Sequence, residues 1–305
     1  MKLKNYFIAF ATIAIAAGFS SCKKDSSSGT SGSNTAEAQA QSIDQTQYTN
    51  ETDGVTNDVN AAVDIYGGSI NERVSGITTP PLPTPCNATI KVDTMSATHS
   101  ITIVYNGNNC FSTSTRTGTV AISFSPGFKW SSPGAELTVT FNNFKATHLS
   151  DNKSILINGT RTITNVSGGL LRNLASLPSV VQKVTDANVS VTFDNTAART
   201  WQNTSTRTFT YNNGIDISFT GSGSGVNRFG HSFNYSITQP LVVKSSCSFR
   251  VTSGEVQNTG SLVTTTTTFG LDSNGTAVSD CPSALYYKIV WTGPQGNSIS
   301  YIGGY

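Results

Sequence analysis

Four Arg-Thr dipeptides, Arg116-Thr117, Arg161-Thr162, Arg199-Thr200 and Arg207-Thr208, carry the side chains in this sequence best suited to chemistry. On a strand, neighbouring side chains point to opposite faces, so each dipeptide commits a guanidinium to one face and a hydroxyl to the other. A row of guanidinium groups would suit an anionic ligand or stack on sugar rings. The competing reading lays each Arg stem over apolar surface and pairs its head with a Thr hydroxyl or a carboxylate. Trp130, Trp201 and Trp291, with the tyrosines, admit a similar choice between a carbohydrate platform and core or edge packing. Arg161, Arg199, Arg207 and Trp201 form the candidate ligand surface.

Catalytic constellations are harder to assemble. Gly221-Ser222-Gly223-Ser224-Gly225 matches the bare pattern of a nucleophile elbow, but it falls between two predicted strands and reads as a flexible hairpin loop. No HExxH helix and no phosphate loop occur. Asp194, Asp216 and Glu136 stand out among the sparse carboxylates, yet each reads as a solvated strand-end charge. The two carboxylates of a glycosidase can lie far apart in sequence, so the spacing does not decide that question. No catalytic residue, metal or cofactor is assigned.

Of five cysteines, Cys22 closes a segment unlike the rest of the chain. Lys2 and Lys4 precede an apolar run from Tyr6 to Ala17, which is shorter than the about 20 residues a bilayer demands. Gly18-Phe19-Ser20-Ser21 then leads into Cys22 and the polar Lys23-Lys24-Asp25. This resembles the signal peptide and lipobox of bacterial lipoproteins, with Phe19 where Leu is usual. The resemblance implies that residues 1–21 are removed and that Cys22 is acylated. An ordinary secretory signal would instead leave an exposed thiol in an oxidising compartment, which is a liability. Each buried CH₂ of an acyl chain contributes about 0.8 kcal/mol, so two or three chains make a permanent anchor.

Cys86, Cys110, Cys247 and Cys281 remain, an even number in an exported chain, which favours disulfides. Of the three pairings open to them, Cys86–Cys110 and Cys247–Cys281 each bracket a local strand pair. Such loops would stabilise by roughly 3–4 kcal/mol each in the chain-entropy picture. Zinc is disfavoured, because there is no CxxC and His99, His148 and His231 are scattered.

Hydrophobic residues make up 36% of the chain and charged residues only 12%, with Thr, Ser, Asn and Gly filling the difference. That is the composition of strands with a hydroxyl-rich outer face. Taking Lys2 and Lys4 from the 19 Lys plus Arg leaves them level with the 17 Asp plus Glu. A neutral mature chain argues against nucleic acid as a partner and against electrostatic membrane binding.

Residues 22–43 read as a flexible tether with a reach of about 25 Å. Residues 44–78 read as an N-terminal helical segment, because Val55, Val59, Ala62, Val63 and Tyr66 recur at helical spacing until Gly67-Gly68. This amphipathic helix would pack its Val stripe on a sheet. Residues 79–85 form a proline linker that cannot enter a central strand. From Cys86 to Tyr305 period-two alternation dominates, in about a dozen strands of five to seven residues separated by short polar turns. Residues 169–184 read as a helical excursion or a long loop. Short sequential connections imply antiparallel neighbours. The fold class is therefore mainly β, a long antiparallel meander forming a curved sheet, half-barrel or sandwich, with one N-terminal helix.

Several segments resemble a group of Bacteroidota lipoproteins of unknown function. They are Asn50-Glu51-Thr52-Asp53, Ile101-Thr102-Ile103 running into Asn109-Cys110, Arg116-Thr117-Gly118, and Gly159 to Asn165. Ser205-Thr206-Arg207-Thr208, Gly223 to Arg228, Ile237 to Leu241 and Ser246-Cys247 continue the likeness. The resemblance covers most of the mature chain and implies outer-membrane placement. Asp93-Thr94-Met95 is similar to the O-glycosylation acceptor of Bacteroidota proteins, which makes Thr94 a candidate site. The expected function is that of a lipid-anchored cell-envelope protein with a non-enzymatic binding or scaffold role, in contact with the membrane through its anchor and with glycan or another envelope protein. A hydrolase acting on glycan or peptide, with its acid and base on strand ends, is the reading from another class. A carrier of apolar ligands is the third.

Overall fold

Thr-rich alternation becomes thirteen antiparallel strands in one unclosed sheet, seen in a computed structural model that describes residues 31–66 and 85–305, apart from 94, 96, 97, 111, 195, 261, 262, 280 and 294. The strands are β1 (Ala88–Asp93), β2 (His99–Asn108), β3 (Ser114–Phe124), β4 (Ala135–His148), β5 (Ser154–Asn165) and β6 (Val180–Phe193). They continue as β7 (Arg199–Tyr211), β8 (Ile215–Val226), β9 (Ser232–Lys244), β10 (Arg250–Gly260), β11 (Thr264–Leu271), β12 (Tyr286–Thr292) and β13 (Ser298–Gly304). Each strand pairs with its sequence neighbours, so the topology is a pure meander, and β1 and β13 remain edges. The segment before β6 resolves into a short 3₁₀ turn, Leu171–Ser176, followed by a strand that begins well before the expected Val189. Lys153 to Asn165, expected as two strands or one bent strand, is the single strand β5, with a bulge between Asn158 and Arg161.

Similar bulges interrupt the register between Thr117 and Thr119, Phe141 and Phe144, Asp186 and Val189, Phe219 and Ser222, and Phe269 and Leu271. A bulge bends its strand and increases its twist, so a row of them curls the sheet. Gly118 shows why glycine recurs there: it sits at φ 94, and a Cβ on it would run into the backbone of Asn143.

The Gly221 to Gly225 run is not the hairpin loop expected from its composition, because it lies inside β8, paired with β7 and β9. Its glycines serve close approach. A Cβ on Gly223 would overlap the Tyr235 ring, and one on Gly225 would lie 2.8 Å from Trp201 Cδ1. Two large aromatic rings therefore lie flat against backbone that carries no side chain.

The helix α1 spans Ser31–Tyr66, 36 residues, and so begins inside the stretch expected as tether. Tyr48, Val55, Val59, Ala62 and Val63 are buried as the spacing predicts, while Tyr66 is exposed. Much of its polar side is enclosed too, while Ser42, Thr46, Asn50 and Asn57 are half-buried and Thr49 is exposed. Successive helical residues point about 100° apart. Yet Glu51 bonds to Arg116 on β3, Thr52 to Arg161 on β5, and Asp53 to Arg207 on β7. The Glu51 and Asp53 side chains, two residues apart and so about 200° apart around the axis, reach β3 and β7, with the Thr52 carbonyl meeting β5 between them, which means that the sheet curls around the helix. The helix packs its Val stripe on the sheet as expected, and it buries many polar residues as well, among them Asp44, Glu51, Thr52, Asp53, Thr56 and Asn60.

Core residues divide accordingly. One cluster joins α1 to the inner faces of β2 to β7 and Phe233, and it includes Trp130 and Trp201. The second, built on β7 to β12 with Leu174 and Val180, contains no helix residue. The cysteines pair as Cys86–Cys110 and Cys247–Cys281, with Cα separations of 5.1 and 5.2 Å. These bridges tie β1 to the end of β2, and the entry of β10 to the segment before β12.

Replacing Gly225 with Ala forces a methyl against Trp201 and the Thr200 carbonyl, and is expected to cost about 1–3 kcal/mol in urea denaturation. Gly260→Ala, whose new Cβ would have no heavy atom nearer than 3.6 Å, is expected to stay within about 0.5 kcal/mol.

Candidate functional site

Three of the four Arg-Thr arginines point into the trough and meet the helix. Arg161 is 1% exposed. Its Nε and Nη2 donate to Asp186 at 2.7 and 2.8 Å, and its Nη1 donates to the Thr52 carbonyl and the Thr56 hydroxyl at 2.7 and 2.8 Å. The Tyr48 hydroxyl donates to the same Asp186 at 2.7 Å, and Arg161 lies 5.7 Å above the Phe141 ring. Burial pushes the Asp186 carboxyl up, but the charge and hydrogen bonds of Arg161, with Tyr48 and Asn203, hold it below the ordinary carboxylate range.

Arg116 donates to Glu51 at 2.8 Å and to Asp58 at 3.4 Å, and Tyr105 also donates to Asp58, at 2.9 Å. Gly54 makes room for that guanidinium, because a Cβ there would collide with it. Arg207 donates through Nη2 to Asp53 and lies 5.7 Å from the Phe219 ring centre. Asn60 and Gln182 exchange reciprocal amide hydrogen bonds of 3.1 and 2.9 Å. Near the start of the helix Arg228 donates to Asp44 at 2.8 Å and to Asp194 at 3.2 Å. Threonines, usually poor in helix interiors, are accommodated because Thr46, Thr52 and Thr56 bond back to carbonyls four residues earlier.

The ligand surface expected from Arg161, Arg199, Arg207 and Trp201 is therefore not a surface. The helix fills the trough and supplies carboxylates and carbonyls where an anionic ligand was expected. Arg199 shares the inner face of β7 but lies at its start, about 26 Å along the strand from Arg207 at 3.3 Å per residue. Trp201 is 2% exposed, stacked among Tyr48, Phe193 and Phe233 with ring centres 4.8 to 5.4 Å away, and its indole donates to the Val226 carbonyl. Of the three carboxylates singled out, Asp194 accepts from Arg228 and the Ser154 amide, and Glu136 accepts from Thr164. Cys22, Gly67-Gly68, the linker prolines before Pro85, and Thr94 lie outside the described residues. Among the described residues no group of three His, Cys, Asp or Glu side chains could hold a metal ion.

Beside this network, where the helix-filled part of the trough gives way to the second core, lies a cavity of about 160 Å³. Helix residues 42–53 form one wall, and Phe219, Leu241, Val256 and Phe269 give the sheet wall its apolar character. Arg207, Asn203, Tyr235 and Asn258 supply polar atoms. Arg207 is 2% exposed, and its Nε and Nη1 have no hydrogen-bond partner among the described residues; the same is true of Asn258 Oδ1 and Gln45 Oε1.

This chain matches no protein-family model, no curated protein and no solved structure.

The sequence reading missed the partners: Tyr48, Asp44, Glu51, Asp53 and Asp58 on α1, Asp186 on β6 and Arg228 after β8. Their signal was present as charge complementarity, a helix carrying spaced carboxylates ahead of strands carrying spaced arginines.

Two outcomes follow from the network. Arg161→Met strands Asp186 and should cost about 3–5 kcal/mol, whereas Arg161→Met with Asp186→Leu should recover more than half of it in a denaturation double-mutant cycle. Asp64 is 3% exposed near the helix C-terminus, with both carboxylate oxygens unpartnered among the described residues. Burial raises its carboxyl from 3.8 to about 6, against the pull of Arg172. The folded chain therefore keeps that proton to a higher pH than the unfolded chain, and the stability Asp64 confers falls as pH rises from 3.8 through about 6. Asp64→Asn should stabilise the fold at pH 7.5 by on the order of 1–3 kcal/mol, and the gain should vanish below the unfolded value.

Proposed function

We propose that the protein is a cell-envelope lipoprotein, anchored in the outer membrane through acylated Cys22, whose β domain acts by binding a small apolar ligand in the cleft between α1 and the sheet. The anchor reading rests on the apolar run that ends in Gly18-Phe19-Ser20-Ser21-Cys22 and on the Bacteroidota lipoprotein resemblance. Two disulfides, Cys86–Cys110 and Cys247–Cys281, agree with an exported chain.

One observation carries the binding reading: a cavity of about 160 Å³, mostly apolar, between a helix and a curved sheet. An apolar cavity of about 150 Å³ is large enough for benzene. Among the earlier alternatives this supports the carrier of apolar ligands over a flat scaffold. The hydrolase reading draws little from the same cleft, because Asp53, the carboxylate in its lining, is engaged by a guanidinium.

Two measurements test this. Radiolabelled palmitate should enter the parent chain and not Cys22→Ser, which should move from the membrane to the soluble fraction. Benzene titrated into the Cys22→Ser chain should shift amide resonances of α1 and β8 to β11, and Val256→Trp, which fills the cavity, should abolish the shifts. Shifts spread evenly over the surface, or unchanged by Val256→Trp, would refute the cleft.

A further inference from the structure

The polar atoms of the cavity say more than its volume does. Arg207 is buried among Phe219, the helix and β9, and Nη2 alone is committed, to Asp53. A buried guanidinium with two N–H-bearing nitrogens unpaired is a costly arrangement, since each unpaired donor forfeits its hydration. Arg161, next to it in the trough, shows what full satisfaction looks like: every nitrogen of that side chain has an acceptor. The contrast lies in what stands opposite. Arg161 faces Asp186, Thr52 and Thr56, whereas Arg207 is a lining residue of the cavity whose Nε and Nη1, though enclosed, meet no acceptor among the described residues.

We infer that the cavity takes a small carboxylic acid, with an apolar body of about six to eight carbons against Phe219, Leu241, Val256 and Phe269 and its carboxylate on Arg207. This rests on the binding reading above and specifies its ligand. Size comes from the volume, which admits a phenyl ring or a short alkyl chain. The acceptor comes from Arg207, whose free nitrogens call for oxygen and whose charge disfavours an amine. A carboxylate is preferred over an alcohol because charge-assisted hydrogen bonds are roughly twice as strong as neutral ones. Asn258 completes the site. Its Oδ1 is unpartnered, and turning the amide about its last torsion presents the NH₂ to a second carboxylate oxygen instead. Tyr235 cannot serve as that donor, because its hydroxyl already donates to Asn203.

The inference is tested by titration calorimetry on the Cys22→Ser chain with octanoate, 3-phenylpropanoate, 1-octanol and octylamine. Both carboxylates are expected to bind at least tenfold more tightly than 1-octanol, with octylamine weakest. Arg207→Lys keeps a cation for Asp53 but removes the unpaired guanidinium nitrogens; it should weaken octanoate about tenfold and leave 1-octanol unchanged. If Arg207→Lys does not fold, Asn258→Leu leaves the Arg207–Asp53 pair in place and should weaken octanoate several-fold, unchanged affinity overturning the proposal. Equal affinity for octanoate and 1-octanol would also overturn it while leaving the apolar cleft standing. Failure of all four compounds and of benzene to bind would bring down the cleft reading itself.

Discussion

A guanidinium and a carboxylate can leave water together only when nearly all of their donors and lone pairs find partners, and the enclosure of α1 depends on that condition being met at Arg161. Asp186 on β6 and the carbonyl of Thr52 with the hydroxyl of Thr56 saturate the guanidinium, while Tyr48 donates to Asp186. The partners come from two turns of one helix and from an adjacent strand, so the cluster forms only at a single rotation and height of the helix in the trough. A slip of one residue rotates the helix by about 100°, leaving Arg116 and Arg207 buried without their carboxylates and Arg161 Nη1 without its acceptors. Hydrophobic contacts alone would not impose that choice, since Val55, Val59 and Val63 could slide along a smooth aliphatic wall. The ion pairs set register, and the aliphatic and aromatic packing supplies the driving force.

How far this was legible from the amino-acid order depends on the period of each signal. Strand alternation is local, so the mainly β class, the meander and the single N-terminal helix could be read directly, as could the stripe of Val55, Val59, Ala62 and Val63. The arginines could be found but their direction could not. Arg161 alternates with Thr160 and Thr162 whichever face is solvated, and only knowledge that a helix lies in the trough turns a ligand-binding row into a set of anchors. The helix start was hidden for a similar reason. Ser, Gly, Asn and Thr from Ser31 onward have weak helix propensity, and what holds that end is tertiary: Glu37 to Asn227 and His231, and Asp44 to Arg228. The Gly221 to Gly225 run misleads in the opposite way, because composition signals a loop while its true role, room for Tyr235 and Trp201, depends on rings from neighbouring strands.

Curvature and enclosure support each other. Bulges recur from β3 to β12, and each bends the ladder where it falls, so the sheet is concave before any helix is considered. A concave face of that width cannot be filled by strand side chains alone over its whole length. On β2 to β7 the helix fills it; on β8 to β12 the large side chains Phe249, Phe269, Tyr287 and Ile289 do so.

The cavity follows from this change of filling. One side of this stretch of the helix, with Ser42, Gln45, Thr46, Thr49, Asn50 and Asp53, lines the cavity with side chains too short or too polar to interdigitate with Phe219, Val256 and Phe269. The seam consequently stays open, and it opens beside Arg207, the one member of the Arg116, Arg161 and Arg207 row whose helix partner engages it through Nη2 alone. Elsewhere in the trough the helix carboxylates Asp44, Glu51 and Asp58 are matched by arginines, so that charge is spent on holding the helix. At the seam a buried cation has bonding capacity left over and apolar walls around it. That combination of unmet donor and apolar volume is what the proposed ligand would use, since a gap lined only by hydrocarbon would offer the volume without the donor.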